Sequence, residues 1–137
     1  AYEIYQCDWS SDVCSSDLVP TTWDQLEAVS KKLTTKDQVG LGIGVGIDRL
    51  GAFVVQNGGW WLKEDGSGPA ANSPEVTQAL EWVQKNVKAG NFKMSNQLDA
   101  GWGGEAFGTE KAAMTIEGNW IKGAAKNDYP KLKYTTV

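Results

Sequence analysis

Residues 39–47 read VGLGIGVGI, a strict alternation of glycine with aliphatic residues. A period of two is a strand period. It places Val39, Leu41, Ile43, Val45 and Ile47 on one face and Gly40, Gly42, Gly44 and Gly46 on the other. The glycine face has no side chains, which suits close approach of a helix or of another backbone. The spacing does not fit GxGxxG, so a dinucleotide loop is not indicated. A second apolar run, Ala112, Ala113, Met114 and Ile116, is broken only by Thr115 and is the right length for a buried strand. Helical patterns surround these strands. Thr22 is an N-cap with Gln25 three residues on, a capping box, and Trp23, Leu26, Val29 and Leu33 then fall near one core-facing side. Ser73 and Pro74 open the clearest helix. Val76, Ala79, Leu80, Val83 and Val87 line its core side, and Gly90 stands at its C-terminal cap. Residues 51–56 read as a short helix stopped by Asn57, Gly58 and Gly59. Residues 105–109 read as one or two helical turns anchored by Phe107, and residues 92–101 as irregular. After Trp120 a helix runs through Lys126, and residues 133–137 form a final strand. Helices alternating with short apolar strands predict an α/β fold with a largely parallel sheet.

The first 18 residues break this pattern. Residues 8–18, DWSSDVCSSDL, are the in-frame translation of an oligonucleotide that resembles a common sequencing-library adapter. Residues 1–4 resemble its upstream part, and Tyr5 and Gln6 fall in its variable index. Residues 1–18 are therefore read as a non-native, adapter-derived segment and set aside from fold reasoning, with no contribution to folding expected. The segment holds both cysteines, Cys7 and Cys14, so cysteine count says nothing of redox compartment. It also holds four acids, Glu3, Asp8, Asp12 and Asp17, and no base. Setting it aside turns 17 acidic against 13 basic residues into 13 against 13. Balanced, unclustered charge argues against a nucleic-acid interface, which needs a basic stripe. No apolar run approaches the roughly 20 residues that span a bilayer.

Candidate functional residues gather where strands end. The 112–116 strand runs into Glu117, Gly118, Asn119 and Trp120. There the glycine permits a sharp turn, Asn119 can cap the next helix, and Trp120 is presented at a strand's carboxyl end, where open α/β sheets bind ligands. Asp48 and Arg49 follow the glycine-rich strand directly and are expected at the same level. Trp60 and Trp61 are adjacent, so in extended chain at most one faces the core. Trp102 precedes a glycine pair.

Five blocks in order, PTTWDQLEAVSKKL, QNGGWW, NSPEVTQALEWVQ, EAFGTEKAAMTIEGNW and DYPKLKY, resemble the family 1 extracellular solute-binding proteins of bacterial ABC importers, the group containing the maltose-binding proteins. The resemblance covers residues 19–137. It implies a periplasmic-binding-protein-like (type II) fold, of which this chain is an incomplete second lobe, with the first lobe elsewhere. It also implies a protein that binds a sugar or oligosaccharide outside the cytoplasmic membrane and delivers it to permease subunits. Location would be periplasmic or extracellular, with membrane contact only through the transporter or a lipid anchor, and no cofactor is implied.

Trp120 matches the family's aromatic platform for a sugar ring. A pyranose offers an apolar C–H face and a rim of hydroxyls, so an aromatic wall with planar polar neighbours suits it. Glu117 and Asn119 are the expected neighbours, Asp48 and Arg49 belong to a second contact loop, and Trp61, Trp60 and Trp102 are further walls or packing residues. Glu110 stands where the family usually has glycine, so the helix end there should be capped differently. Two other readings stay open: a glycoside hydrolase using Glu105 and Glu117 as acid and base, and a carbohydrate-binding module. The absence of histidine and of native cysteine removes most nucleophilic and metal chemistry.

Overall fold

The structure is a computed structural model that describes residues 2–6, as backbone, and 19–136. Its elements in order are β1 (Tyr2–Gln6), α1 (Trp23–Leu33), β2 (Val39–Ile43), α2 (Ile47–Gln56), α3 (Pro74–Lys88), β3 (Phe92–Met94), a 3₁₀ turn (Ser95–Leu98), α4 (Gly103–Gly108), β4 (Ala112–Glu117), α5 (Ile121–Asn127) and β5 (Tyr134–Thr136). The five strands form one sheet in the order β3-β2-β4-β1-β5. β2 pairs in parallel with both β3 and β4, so the carboxyl ends of these three strands share one edge. β1 is antiparallel to both β4 and β5. The expectation that residues 1–18 take no part in folding is thus corrected for Tyr2–Gln6. Pairing does not bear on where the segment comes from, and residues 7–18, with both cysteines, lie outside the described residues, as does Val137.

The glycine alternation does what its empty face requires. A Cβ on Gly40 would lie 2.0 Å from the Ser30 carbonyl oxygen of α1, and one on Gly42 would lie 2.6 Å from the Ala112 Cβ of β4. α1 is also tied to β2 by polar contacts: Thr34 Oγ1 donates to Ser30 O at 2.8 Å and accepts from Gly40 N at 2.9 Å. The strand ends at Ile43, four residues earlier than the alternation runs. Beyond that point β2 has no pairing partner, and Val45 and Ile47 are exposed. α2 starts four residues earlier than expected, so Asp48 and Arg49 lie in its first turn rather than in a loop.

One core joins Leu26 of α1, Phe53 and Val54 of α2, and Val76, Ala79 and Val83 of α3 to Leu41, Ile43, Phe92, Met114 and Ile116 of the sheet. Trp23 is a packing residue, stacked on Trp82 with centroids 4.7 Å apart, and its Nε1 donates to Gln56 Oε1 at 2.8 Å. Phe107 and Ile121 of α4 and α5 form a separate small core. Phe92, fully buried, makes β3 a strand where the sequence reads as irregular. Among the described residues no helix is long and apolar enough to cross a membrane.

Thr22 caps α1 as expected, accepting from Gln25 N at 3.3 Å. The Gln25 side chain, however, reaches back to Thr21, accepting from its N at 2.7 Å and its Oγ1 at 2.9 Å. Lys85 of α3 donates to both oxygens of Glu27 at 2.9 Å, which holds that carboxyl below its ordinary range.

Three helices end in one motif, so α4 is capped as the others are, not differently as expected from Glu110. After α2, α3 and α4 the chain places Gly58, Gly90 and Glu110 respectively at positive φ, and the two N–H groups that follow each cap turn back onto carbonyls of the last turn. For α4 these bonds run from Glu110 N to Phe107 O and from Lys111 N to Ala106 O, both near 3 Å. This is the Schellman arrangement, whose left-handed position favours glycine because a Cβ crowds the following carbonyl. Glu110→Gly is expected to raise stability by about 0.5–1 kcal/mol, the relief of left-handed strain less glycine's larger unfolded-state entropy. A urea midpoint that falls in this variant would contradict that account.

Candidate functional site

The shared carboxyl edge of β2 and β4 carries a cleft of about 350 Å³ lined by Asp48, Arg49, Ala52, Ile116, Glu117, Gly118, Asn119 and Trp120. The parallel pairing of β2 with β4 puts the first turn of α2 beside the residues that follow β4. Five candidates from the sequence, Asp48, Arg49, Glu117, Asn119 and Trp120, are thereby brought together. The other three are not. Trp61 packs on the main core, Trp102 packs beside Phe107 and Ile121, and Trp60 is exposed away from the cleft lining.

Glu117 organises the wall. Its side chain has no exposed area, and one oxygen, Oε2, accepts from Arg49 Nη2 at 2.7 Å and from Trp120 Nε1 at 3.2 Å. Arg49 Nη1 pairs in turn with Asp48 Oδ2, and the Arg49 guanidinium lies 5.2 Å from the centroid of the Trp120 ring. The indole is therefore fixed by a hydrogen bond at its N–H and a cation–π contact on its face. It remains half-exposed, at 55%. Glu117 is thus buried behind Arg49 and Trp120. Its carboxylate is not the open polar neighbour that the sequence suggested, and it acts as the anchor of the two groups in front of it.

Glycines shape this wall, each through space rather than turn geometry. A Cβ on Gly118 would lie 2.2 Å from the Trp120 ring, so the indole folds back across Gly118. The sharp turn expected after the strand is present, Ile121 N donating to Gly118 O at 3.1 Å, but it needs no left-handed backbone at Gly118, which is not among the residues with positive φ. A Cβ on Gly103 would lie 2.7 Å from Glu117 Oε1, and one on Gly44 3.3 Å from it. The roles of Gly44 and Gly103 were not read from the sequence. Their only signal was membership of two glycine-rich runs, one at the end of β2 and one at the start of α4. Glu117 Oε1 and Arg49 Nε are buried with no hydrogen-bond partner among the described residues. Asn119 does not cap α5 through its side chain; Trp120 is the N-cap residue and Lys122 N donates to the Asn119 carbonyl. Among the described residues no cluster of three His, Cys, Asp or Glu could hold a metal ion.

Residues 4–137 match the family described as Bacterial extracellular solute-binding protein. No curated protein matches the sequence. Among solved structures, the chain is similar to the ABC substrate-binding protein Lmo0181 from Listeria monocytogenes in complex with cycloalternan. The TM-score is 0.80 at 26% identity, covering 98% of this chain and 35% of that one. It is similar to the cyclic alpha-maltosyl-1,6-maltose binding protein from Arthrobacter globiformis, with TM-score 0.72, 24% identity and coverage of 99% and 35%. It is also similar to the GacH receptor of Streptomyces glaucescens, solved unliganded and with acarbose, with TM-score 0.72, 17% identity and coverage of 99% and 36%. The α/β fold expected from the sequence is the one these binding proteins share, and the chain spans about a third of their length.

Proposed function

Since this chain belongs to the bacterial extracellular solute-binding proteins, we propose that it is part of the second lobe of a two-lobed receptor that binds a sugar or oligosaccharide outside the cytoplasmic membrane. The receptor then delivers its ligand to the permease subunits of an ABC importer, with any attachment to the membrane made through that transporter or a lipid anchor. The observation that carries this reading is Trp120, a half-exposed indole held at the carboxyl edge of the sheet by Glu117 and Arg49. The ring offers an apolar wall to the C–H face of a pyranose, and Asp48 and Asn119 offer polar groups to its hydroxyls. The ligands named for the similar structures, cycloalternan, acarbose and maltosyl-maltose, support a carbohydrate.

The relatives are substrate-binding proteins rather than enzymes. The two carboxylates a glycosidase would need are already engaged: Glu117 is buried in its ion pair, and Glu105 Oε2 accepts from Gly101 N at 2.8 Å. Calorimetric titration of the two-lobed protein with neutral oligosaccharides, followed by chromatography of the mixture, tests the reading. Saturable binding with the sugar recovered intact is expected. Cleaved sugar would overturn the reading in favour of a hydrolase.

A further inference from the structure

We infer that this wall rejects anionic sugars such as uronates in favour of their neutral counterparts. The inference rests on the sugar reading above and narrows it. Two features of the cleft could attract an anion, and both are occupied by the chain's own carboxylates. The Arg49 guanidinium is held by Glu117 at 2.7 Å on one side and by Asp48 on the other, and its Nε is buried. The N-terminus of α2, a partial positive charge, is covered by Asp48. A Cβ on the N-cap residue Gly46 would lie 2.3 Å from Asp48 Oδ1, so the carboxylate folds back against it.

The lining is moreover net negative. Arg49 carries one positive charge against the two carboxylates of Glu117 and Asp48, and the Asp48 side chain is 65% exposed. Lys122, the nearest base along the chain, lies outside the cleft lining. An anionic ligand would thus lose hydration on binding and meet like charge, whereas hydroxyl groups lose little.

The test compares two disaccharides of one scaffold on the two-lobed receptor at low ionic strength: the neutral sugar and its uronic acid. The neutral sugar is expected to bind at least about tenfold tighter, a difference of about 1.4 kcal/mol. Asp48→Asn uncovers the α2 N-terminus and frees one side of Arg49. It should narrow the gap by about tenfold. A uronic acid that binds as tightly as the neutral sugar, or a gap unmoved in Asp48→Asn, overturns the inference while the sugar reading stands. Failure of both sugars to bind overturns the sugar reading, and the inference with it.

Discussion

Replacing Glu117 by alanine is expected to lower the unfolding free energy by about 3–5 kcal/mol, the usual result of removing one partner of a buried ion pair. The cost does not come mainly from the lost attraction. It comes from what stays behind: the Arg49 guanidinium, whose side chain is only 19% exposed, would face Asp48 alone. The indole N–H of Trp120 would lose its acceptor in the same step. Glu117→Gln keeps the volume and an oxygen for the indole but not the charge. It is therefore expected to cost less, about 1–3 kcal/mol. Urea unfolding of both variants checks this, and a loss below about 1 kcal/mol for the alanine variant would contradict the role given to the buried carboxylate.

The second large effect is predicted at Gly40. A Cβ there would lie 2.0 Å from the Ser30 carbonyl oxygen and 2.5 Å from its carbon, and these are backbone atoms of α1 that no rotamer change can move. Gly40→Val must therefore displace the helix from β2. That breaks the Thr34 bridge to Gly40 N and loosens the packing of Leu26 against Leu41. Overpacking costs about 1–3 kcal/mol where side chains can adjust, and a clash with backbone should reach at least about 3 kcal/mol. Gly123, with nothing within 4 Å of its added Cβ, is the control position. A thermal midpoint for Gly40→Val no lower than that of Gly123→Ala would show that the close approach of α1 to β2 is not required.

Local signals were legible in the sequence. α3 is bounded by Ser73, Pro74 and Gly90, because capping depends on residues within one turn and needs no knowledge of the rest of the fold. The glycine face of β2 was legible for a similar reason, since the missing side chains imply a close neighbour whichever element that is. Pairing was not legible. β2 ends where its pairing with β3 ends, at Ile43 opposite Met94, so the alternation ran on through Val45 and Ile47 after the strand had stopped. β3 has three residues, too few for a period. The start of α2 was hidden because its N-cap, Gly46, has no side chain to announce it. At the site, the grouping of Asp48, Arg49, Asn119 and Trp120 followed from parallel strand ends sharing an edge. That Glu117 lies buried behind them did not, because its burial depends on the space left by Gly44 after β2 and Gly103 at the start of α4, segments distant in sequence. The three other candidate tryptophans, Trp60, Trp61 and Trp102, could not be sorted by sequence, since an indole suits a core and a ligand wall equally well.

The central claim is that Trp120 is exposed in order to meet a ligand, and Trp120→Ala in the two-lobed receptor tests it most directly. Base and ring stacking on an aromatic side chain is worth about 1–3 kcal/mol per ring. Binding of the neutral oligosaccharide should therefore weaken by roughly fivefold to 150-fold. Because the ring is already half-exposed and packs mainly across Gly118, truncation should leave the urea midpoint nearly unchanged. A core tryptophan would instead cost about 3–5 kcal/mol of stability. The measurement is sugar affinity and urea midpoint on the same preparation of the variant. Weakened affinity with a preserved midpoint is the predicted result, and intact affinity or a collapsed midpoint would contradict it.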